Sequence, residues 1–293
     1  MKNRRRLVSN AQLNNGNKLQ ADNTIIDSTY DPTLSFKELT GTISALGIKK
    51  ANTHPWQLFL LGILAGLYIS FGGQLFLVAL AEGLSKVTAG AVFSVGLVLV
   101  LIAGAELFTG NIIMLIGTFS KLFAFRNTLR NWIIVYLGNF AGAFVFTVLI
   151  WKSGLMGDCD NLSKIGVLAA KIAEAKLALT FNQCLIRGIF CNMLVILAII
   201  MATMSKDVIS KIFCCILPIM TFVACGFEHC VANMFLIPIG LFAKGVPVLE
   251  QFVIFRNILP VTFGNIIGGV LILLIHPNRI RQIQFLLQKN RKK

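Results

Sequence analysis

Gly104-Ala-Glu-Leu-Phe-Thr-Gly-Asn111 and Gly226-Phe-Glu-His-Cys-Val-Ala-Asn233 carry Gly, Glu and Asn in the same places. Both stretches lie inside long apolar sequence, and the agreement continues outward from them. Arg130-Asn131 follows the first and Arg256-Asn257 the second. Then come Gly138-Asn-Phe-Ala-Gly142 and Gly264-Asn-Ile-Ile-Gly268. The order of features is kept, with four extra residues in the second half. Polar residues and glycines at matched places in apolar sequence mark an internal repeat.

The surrounding composition is that of a membrane protein. Of 293 residues, 56% are hydrophobic and only 13% charged, against roughly a quarter charged in a soluble domain. From Trp56 to His276 the chain is a series of long apolar runs, which require lipid around them. The spans expected are Trp56–Leu80, Ala89–Phe123, Asn131–Trp151, Thr180–Met204, Val208–Phe242 and Phe252–Ile275. The second and fifth are too long for one crossing. Each contains one of the repeated stretches partway along, so each is expected to be a broken helix.

The expected fold is therefore an all-α membrane protein of six transmembrane helices in a 3+3 inverted repeat. Three spans per half is an odd number, so the second half enters the membrane upside down relative to the first. Substrate is handled where two such broken helices meet. Unwound backbone at membrane depth is tolerated only beside protein or a water-filled cavity. Half-helices starting near Asn111 and Asn233 would turn their positive ends toward that region, which favours an anion.

Three segments are expected: a tail of residues 1–50, a transmembrane domain of 51–277 and a basic tail of 278–293. The first tail lacks a secretory signal and reads as a soluble, largely irregular segment. Lys and Arg concentrate in the two tails and in the second-to-third and fourth-to-fifth loops, which places both termini in the cytoplasm, with the plasma membrane as the expected location. The same bias accounts for the net charge of +15 without nucleic acid, and sets the C-tail from Arg279 near anionic lipid heads. Seven Cys form no CxxC pair or Cys/His cluster, so neither a metal site, a cofactor nor a disulfide framework is expected.

Of three His, His54 and His276 stand beside Pro at the ends of spans and are interfacial. His229 falls in the fifth-span break. An ionisable group at that depth marks a functional site; the alternative is a structural His bonded to the facing loop. Thr109 can offer it a hydroxyl across the repeat axis. Glu106 and Glu228 occupy equivalent places. They could carry protons, but matching copies in matching loops favour a structural role, accepting hydrogen bonds from the unwound backbone.

With these residues in view, the chain resembles the formate/nitrite transporter family, and within it the formate channels. Leu101-Ile-Ala-Gly-Ala-Glu-Leu-Phe-Thr-Gly110 and Gly188-Ile-Phe-Cys-Asn-Met-Leu-Val-Ile-Leu-Ala198 fit the family's two signatures. Gly226–Phe235 and Asn257–Gly269 look like its fifth- and sixth-span motifs. The likeness covers about residues 50 to 276.

The resemblance implies a homopentamer of aquaporin-like protomers, each with its own pore. It implies His229 as the central pore histidine, Thr109 as its partner, Lys176 as the outer-vestibule lysine and Asn192 as a nearby polar group. It makes Phe93 and Phe222 an outer constriction and Leu97, Leu107, Phe108 and Val195 an inner one. Asn111 and Asn233 support the loops. Two features depart from the family: Lys176-Leu-Ala-Leu-Thr180 lacks the His residues often found there, and Arg187 adds a cation early in the fourth span.

The expected function is passage of a small monovalent anion or its conjugate acid, passively or with protons. Formate leads, with acetate, lactate, nitrite and hydrosulfide as alternatives. A neutral-solute channel would need paired Asn-Pro-Ala loops, which are absent. An enzyme would need a catalytic cluster, and the sequence offers no such constellation.

Overall fold

A computed structural model describes residues 33–275. In chain order its α-helices are α1 (Phe36–Asn52), α2 (Pro55–Ala81), α3 (Lys86–Phe93), α4 (Val95–Val98), α5 (Leu115–Phe119), α6 (Phe125–Lys152), α7 (Lys164–Leu177), α8 (Phe181–Met204), α9 (Val208–Ala224), α10 (Cys230–Ala243) and α11 (Phe255–Ile275). Wide π-type turns over Leu99–Gly104 continue α4, and tight 3-10 turns over Gly110–Met114 lead into α5.

Among the described residues, five helical stretches are long and apolar enough to cross a membrane: Pro55–Ala81, Lys86–Gly104, Phe125–Lys152, Phe181–Met204 and Val248–Ile275. The span expected over Val208–Phe242 is divided into α9 and α10, each too short by itself. Leu60, Phe71, Leu137, Phe213 and Phe263 are exposed, as side chains facing lipid should be.

The largest departure from expectation is α1. Residues 36–50 are helical, not irregular, and the cause is local. Ser35 Oγ accepts from Glu38 N while Glu38 Oε2 accepts from Ser35 N at 2.8 Å, a reciprocal cap for the first turn. Leu39, Ile43 and Ala51 then bury one face. At the far end Arg130 Nη2 donates to the carbonyls of Ala51 (2.7 Å) and Thr53 (3.1 Å), which the helix itself leaves open. α7 is the counterpart in the second half, so each repeat begins with a short helix. Most of the first tail and the basic tail from Arg279, with its expected lipid contact, lie outside the described residues.

Glycines let the long helices cross closely. α2 packs on α6, and α8 on α11. A Cβ on Gly142 would land on the carbonyl oxygen of Ile63, and one on Gly268 on that of Ile189. Without a hydrophobic drive between helices in lipid, this close packing supplies the adhesion.

Both predicted breaks are present. In the first, the chain turns at Gly104 (φ 89°) and runs extended at Ala105 (φ −152°, ψ 170°) before the turns at Gly110. In the second, α9 ends, Gly226 turns (φ 71°) and His229 is extended (φ −115°, ψ 117°) as the N-cap of α10. A positive φ costs a residue with a Cβ, so the repeated Gly104 and Gly226 are the turning points.

Candidate functional site

Loops at this depth must satisfy their backbone from nearby side chains. Two buried asparagines do so in the same way. Asn139 Oδ1 accepts from Phe108 N (2.9 Å), and its Nδ2 donates to the carbonyls of Glu106 and Gly62 (both 2.9 Å). Asn265 Oδ1 accepts from Cys230 N (2.9 Å), and its Nδ2 donates to the carbonyls of Glu228 (3.0 Å) and Gly188 (2.8 Å). The glutamate N–H groups bond to backbone carbonyls, Glu106 to Leu61 (3.1 Å) and Glu228 to Arg187 (3.3 Å).

The carboxylates of Glu106 and Glu228, expected to accept from the unwound backbone, do not hold it. They face cations. Lys50 Nζ lies 2.7 and 2.6 Å from the two Glu106 oxygens, and Lys176 Nζ 2.9 and 3.0 Å from those of Glu228. Asn111 Nδ2 reaches Glu106 (2.6 Å) and Asn131 (2.8 Å), while Asn233 Nδ2 reaches Glu228 (2.6 Å) and Asn257 (2.7 Å). Each break thus carries a Lys–Glu–Asn–Asn chain. A carboxylate this far from water needs such a partner, because a lone buried charge costs several kcal/mol or more.

Lys50 is a site residue that the sequence analysis does not single out. The signal was present: Lys50 stands as far before Asn131 as Lys176 does before Asn257. Asn139 and Asn265 were visible in the repeat but had no role until the fold placed them beside the breaks.

The halves differ at the residue after the glutamate. Where the first break has Leu107, the second has His229. His229 is buried, and its Nδ1 accepts from Ala232 N (3.1 Å), as an N-cap does. An acceptor nitrogen carries no proton, so the ring proton sits on Nε2. That atom lies 2.9 Å from Thr109 Oγ1, in the other break; Nε2–H donates and the Thr109 oxygen accepts. Asn192 ties the breaks together again, donating to the carbonyls of Thr109 (3.3 Å) and Asn265 (2.7 Å). Tyr136 and Thr262, equivalent residues of the two repeats, bond to each other at 3.0 Å.

A cavity lies on each side of this pair. One, of about 240 Å³, is lined by Phe93, Phe222, Lys176, Glu228, His229 and Asn233, beneath α7. The Phe222 ring stacks on His229 with centroids 5.8 Å apart, and the edge-to-face contact of Phe93 with Phe222 is 5.9 Å. The other, of about 390 Å³, is lined by Lys50, Leu97, Leu107, Asn111 and the inner face of α1. Phe108, Thr109, Asn192 and Val195 are buried but line neither cavity. The Phe108 ring lies against Tyr136 (4.9 Å) and Trp132 (6.1 Å).

Two cationic cavities separated by a buried, hydrogen-bonded neck are a geometry for conduction. The family model described as formate/nitrite transporter matches residues 37–277, α1 included. The chain belongs to the formate/nitrite transporter family. A probable formate transporter of Methanothermobacter thermautotrophicus is 38% identical over 260 residues, covering 81% of this chain and 94% of the relative. A formate channel of Escherichia coli is 34% identical over 249 residues, covering 77% and 87%. Among solved structures, an FNT family ion channel superposes with a TM-score of 0.72 at 27% identity, covering 80% of this chain and 95% of its own. A pentameric formate channel with formate bound gives 0.64 at 30%, covering 79% and 98%. Members of the formate/nitrite transporter family are integral membrane transporters, not enzymes, and that holds for this chain.

Proposed function

We propose that this protein conducts formate across a membrane, through one pathway in each protomer of a homopentamer. The observation that carries the reading is the Thr109–His229 bond, which joins the two breaks at the neck between the two cavities. Relatives named as formate channels, and a solved pentameric neighbour titled as holding formate, support the substrate and the assembly. In this reading the chain crosses the membrane six times in an aquaporin-like arrangement, with both termini cytoplasmic in a plasma membrane. The α7 cavity is then the outer vestibule and the α1 cavity the inner one.

The roles follow from the neck. Lys176 and Lys50 stand at its outer and inner ends, each balanced by its glutamate. Phe93 and Phe222 form the outer constriction, and Leu97 and Leu107 the inner one, with Phe108 and Val195 in the packing that backs it. A bare anion between such walls is opposed by a desolvation cost of tens of kcal/mol in the Born limit. A carboxylic acid of pKa about 4 is half neutralised at pH 7 for about 4 kcal/mol. The second cost is far smaller, so the substrate crosses as the acid and a proton moves with it. Because Nδ1 is held by Ala232, His229 offers its Nε2 proton only as a donor to Thr109. The Thr109 hydroxyl is thereby oriented to donate to a passing carboxyl oxygen. His229 and Thr109 hold and orient the acid, while the proton itself arrives from water in the vestibule.

Proteoliposomes loaded with a pH indicator test this. An inward formate gradient is expected to acidify the lumen, faster at lower external pH. Acetate, lactate, nitrite and hydrosulfide run in parallel rank the alternatives. No formate-driven change above protein-free vesicles would overturn the reading.

A further inference from the structure

We infer that Arg187 is a carboxylate-binding residue of the outer vestibule, forming with Lys86 a docking position in which a monocarboxylate is held as the anion before it enters the neck; this rests on the transport reading above. Arg187 sits in the second turn of α8, half-buried, and lines the same cavity as His229. Its backbone carbonyl accepts from Glu228 N at 3.3 Å, which anchors its Cα to the rim of the break. That backbone task does not require an arginine. Leu61 performs it in the other repeat, its carbonyl accepting from Glu106 N at 3.1 Å. The guanidinium is thus an addition on one side of the pseudo-symmetric core, and among the described residues it makes no hydrogen bond or ion pair.

Charge in the cavity points the same way. Lys86, Lys176 and Arg187 line it against the single carboxylate Glu228. Lys176 is engaged with both oxygens of that carboxylate. The uncompensated positive charge therefore lies on Arg187 and Lys86. A guanidinium presents parallel N–H groups whose spacing matches two carboxylate oxygens, which an ammonium cannot reproduce. The inner cavity is lined by ammonium cations, Lys50 and Lys211, with no guanidinium. Partial exposure suits the task, since a conduction site must release what it captures.

The test uses full-length pentamer in right-side-out and inside-out membrane vesicles, with sodium formate as the probe. Arg187→Leu, the residue carried at the equivalent place, should raise the half-saturating external formate about tenfold, the size of one partly screened charge-assisted contact. Saturated flux should fall less than about twofold, because the neck is untouched. Entry from the cytoplasmic face should keep its half-saturation. Arg187→Lys should recover only part of the external affinity. Calorimetric titration of the purified pentamer with formate supplies a readout independent of flux, and pentamer elution checks that the variants fold. Unchanged external half-saturation, equal loss from both faces, full recovery by lysine, or no formate binding to the unaltered protein would each overturn the inference. Arg187-dependent binding in a protein that passes no formate would uphold it while overturning the transport reading.

Discussion

Replacing Asn265 with Ala tests whether the broken helix is held by one side chain. Asn265 is fully buried and serves three backbone groups. Gly188 C=O lies inside α8 and keeps its helical partner, so it loses little. Cys230 N–H and Glu228 C=O lie in the break, and the asparagine is the partner that serves them. At membrane depth no water replaces it. Two orphaned groups at about 1–3 kcal/mol each place the loss near 4 kcal/mol. For a chain of this size that corresponds to a fall of roughly 10 °C in the unfolding midpoint. Thermal unfolding of the purified protein in detergent reads it, with formate flux alongside. Tyr136→Phe is the internal scale. It removes one hydrogen bond to Thr262, which still donates to Ile258 O at 2.7 Å, and should cost about 1 kcal/mol. Asn139→Ala should match Asn265→Ala, because it orphans Phe108 N–H and Glu106 C=O in the same manner. A midpoint within about 2 °C of the unaltered protein, with normal flux, would refute the claim that these asparagines hold the breaks.

Other outcomes are expected from the same geometry. His229→Phe removes the Nε2 donor and should slow formate uptake in liposomes while keeping its pH dependence, which protonation of the substrate sets; an unchanged rate would sink the central role of this residue. Lys176→Ala strands the buried Glu228 carboxylate and should lower the unfolding midpoint and weaken uptake at every formate concentration; a midpoint equal to that of the unaltered protein would argue against the pairing. Lys50→Met strands the Glu106 carboxylate and should destabilise the protein by about 3 kcal/mol; adding Glu106→Gln should restore most of it, and a thermal-melt double-mutant cycle without such recovery would show that the pair is not coupled. Gly268→Ala places a methyl on the Ile189 carbonyl and should lower the yield of folded protein by size-exclusion chromatography, with Gly41→Ala, where nothing is near, as the neutral comparison.

The repeat was the most legible feature because its parts are local. Gly104 and Gly226 are needed for positive φ whatever surrounds them. Spans followed from hydropathy, since lipid imposes a minimum length. Composition alone hides α1, whose start is marked by a short-range cue: Ser35 and Glu38 cap a helix inside what looks like a polar tail. The site was half legible. A lone His in an apolar break, and a Thr at the matching loop, stood out by chemistry. Lys50, Asn139 and Asn265 did not, because their work is done on backbone atoms and carboxylates far away in the chain.

An inverted-repeat membrane protein with paired breaks, one of them carrying an imidazole, and a family resemblance that reaches to formate are all legible in residue order. Glycine geometry, hydropathy and motif order are properties of neighbouring residues, so they survive being read in one dimension. Which nitrogen of His229 faces Thr109, which cation balances which glutamate, and the use of asparagines rather than carboxylates to satisfy the unwound backbone are visible only in the folded chain. Those are matters of a few ångströms between helices of different repeats. In a low-dielectric core each buried polar group must find its partner at that range, and residue spacing along the chain does not say which one it meets.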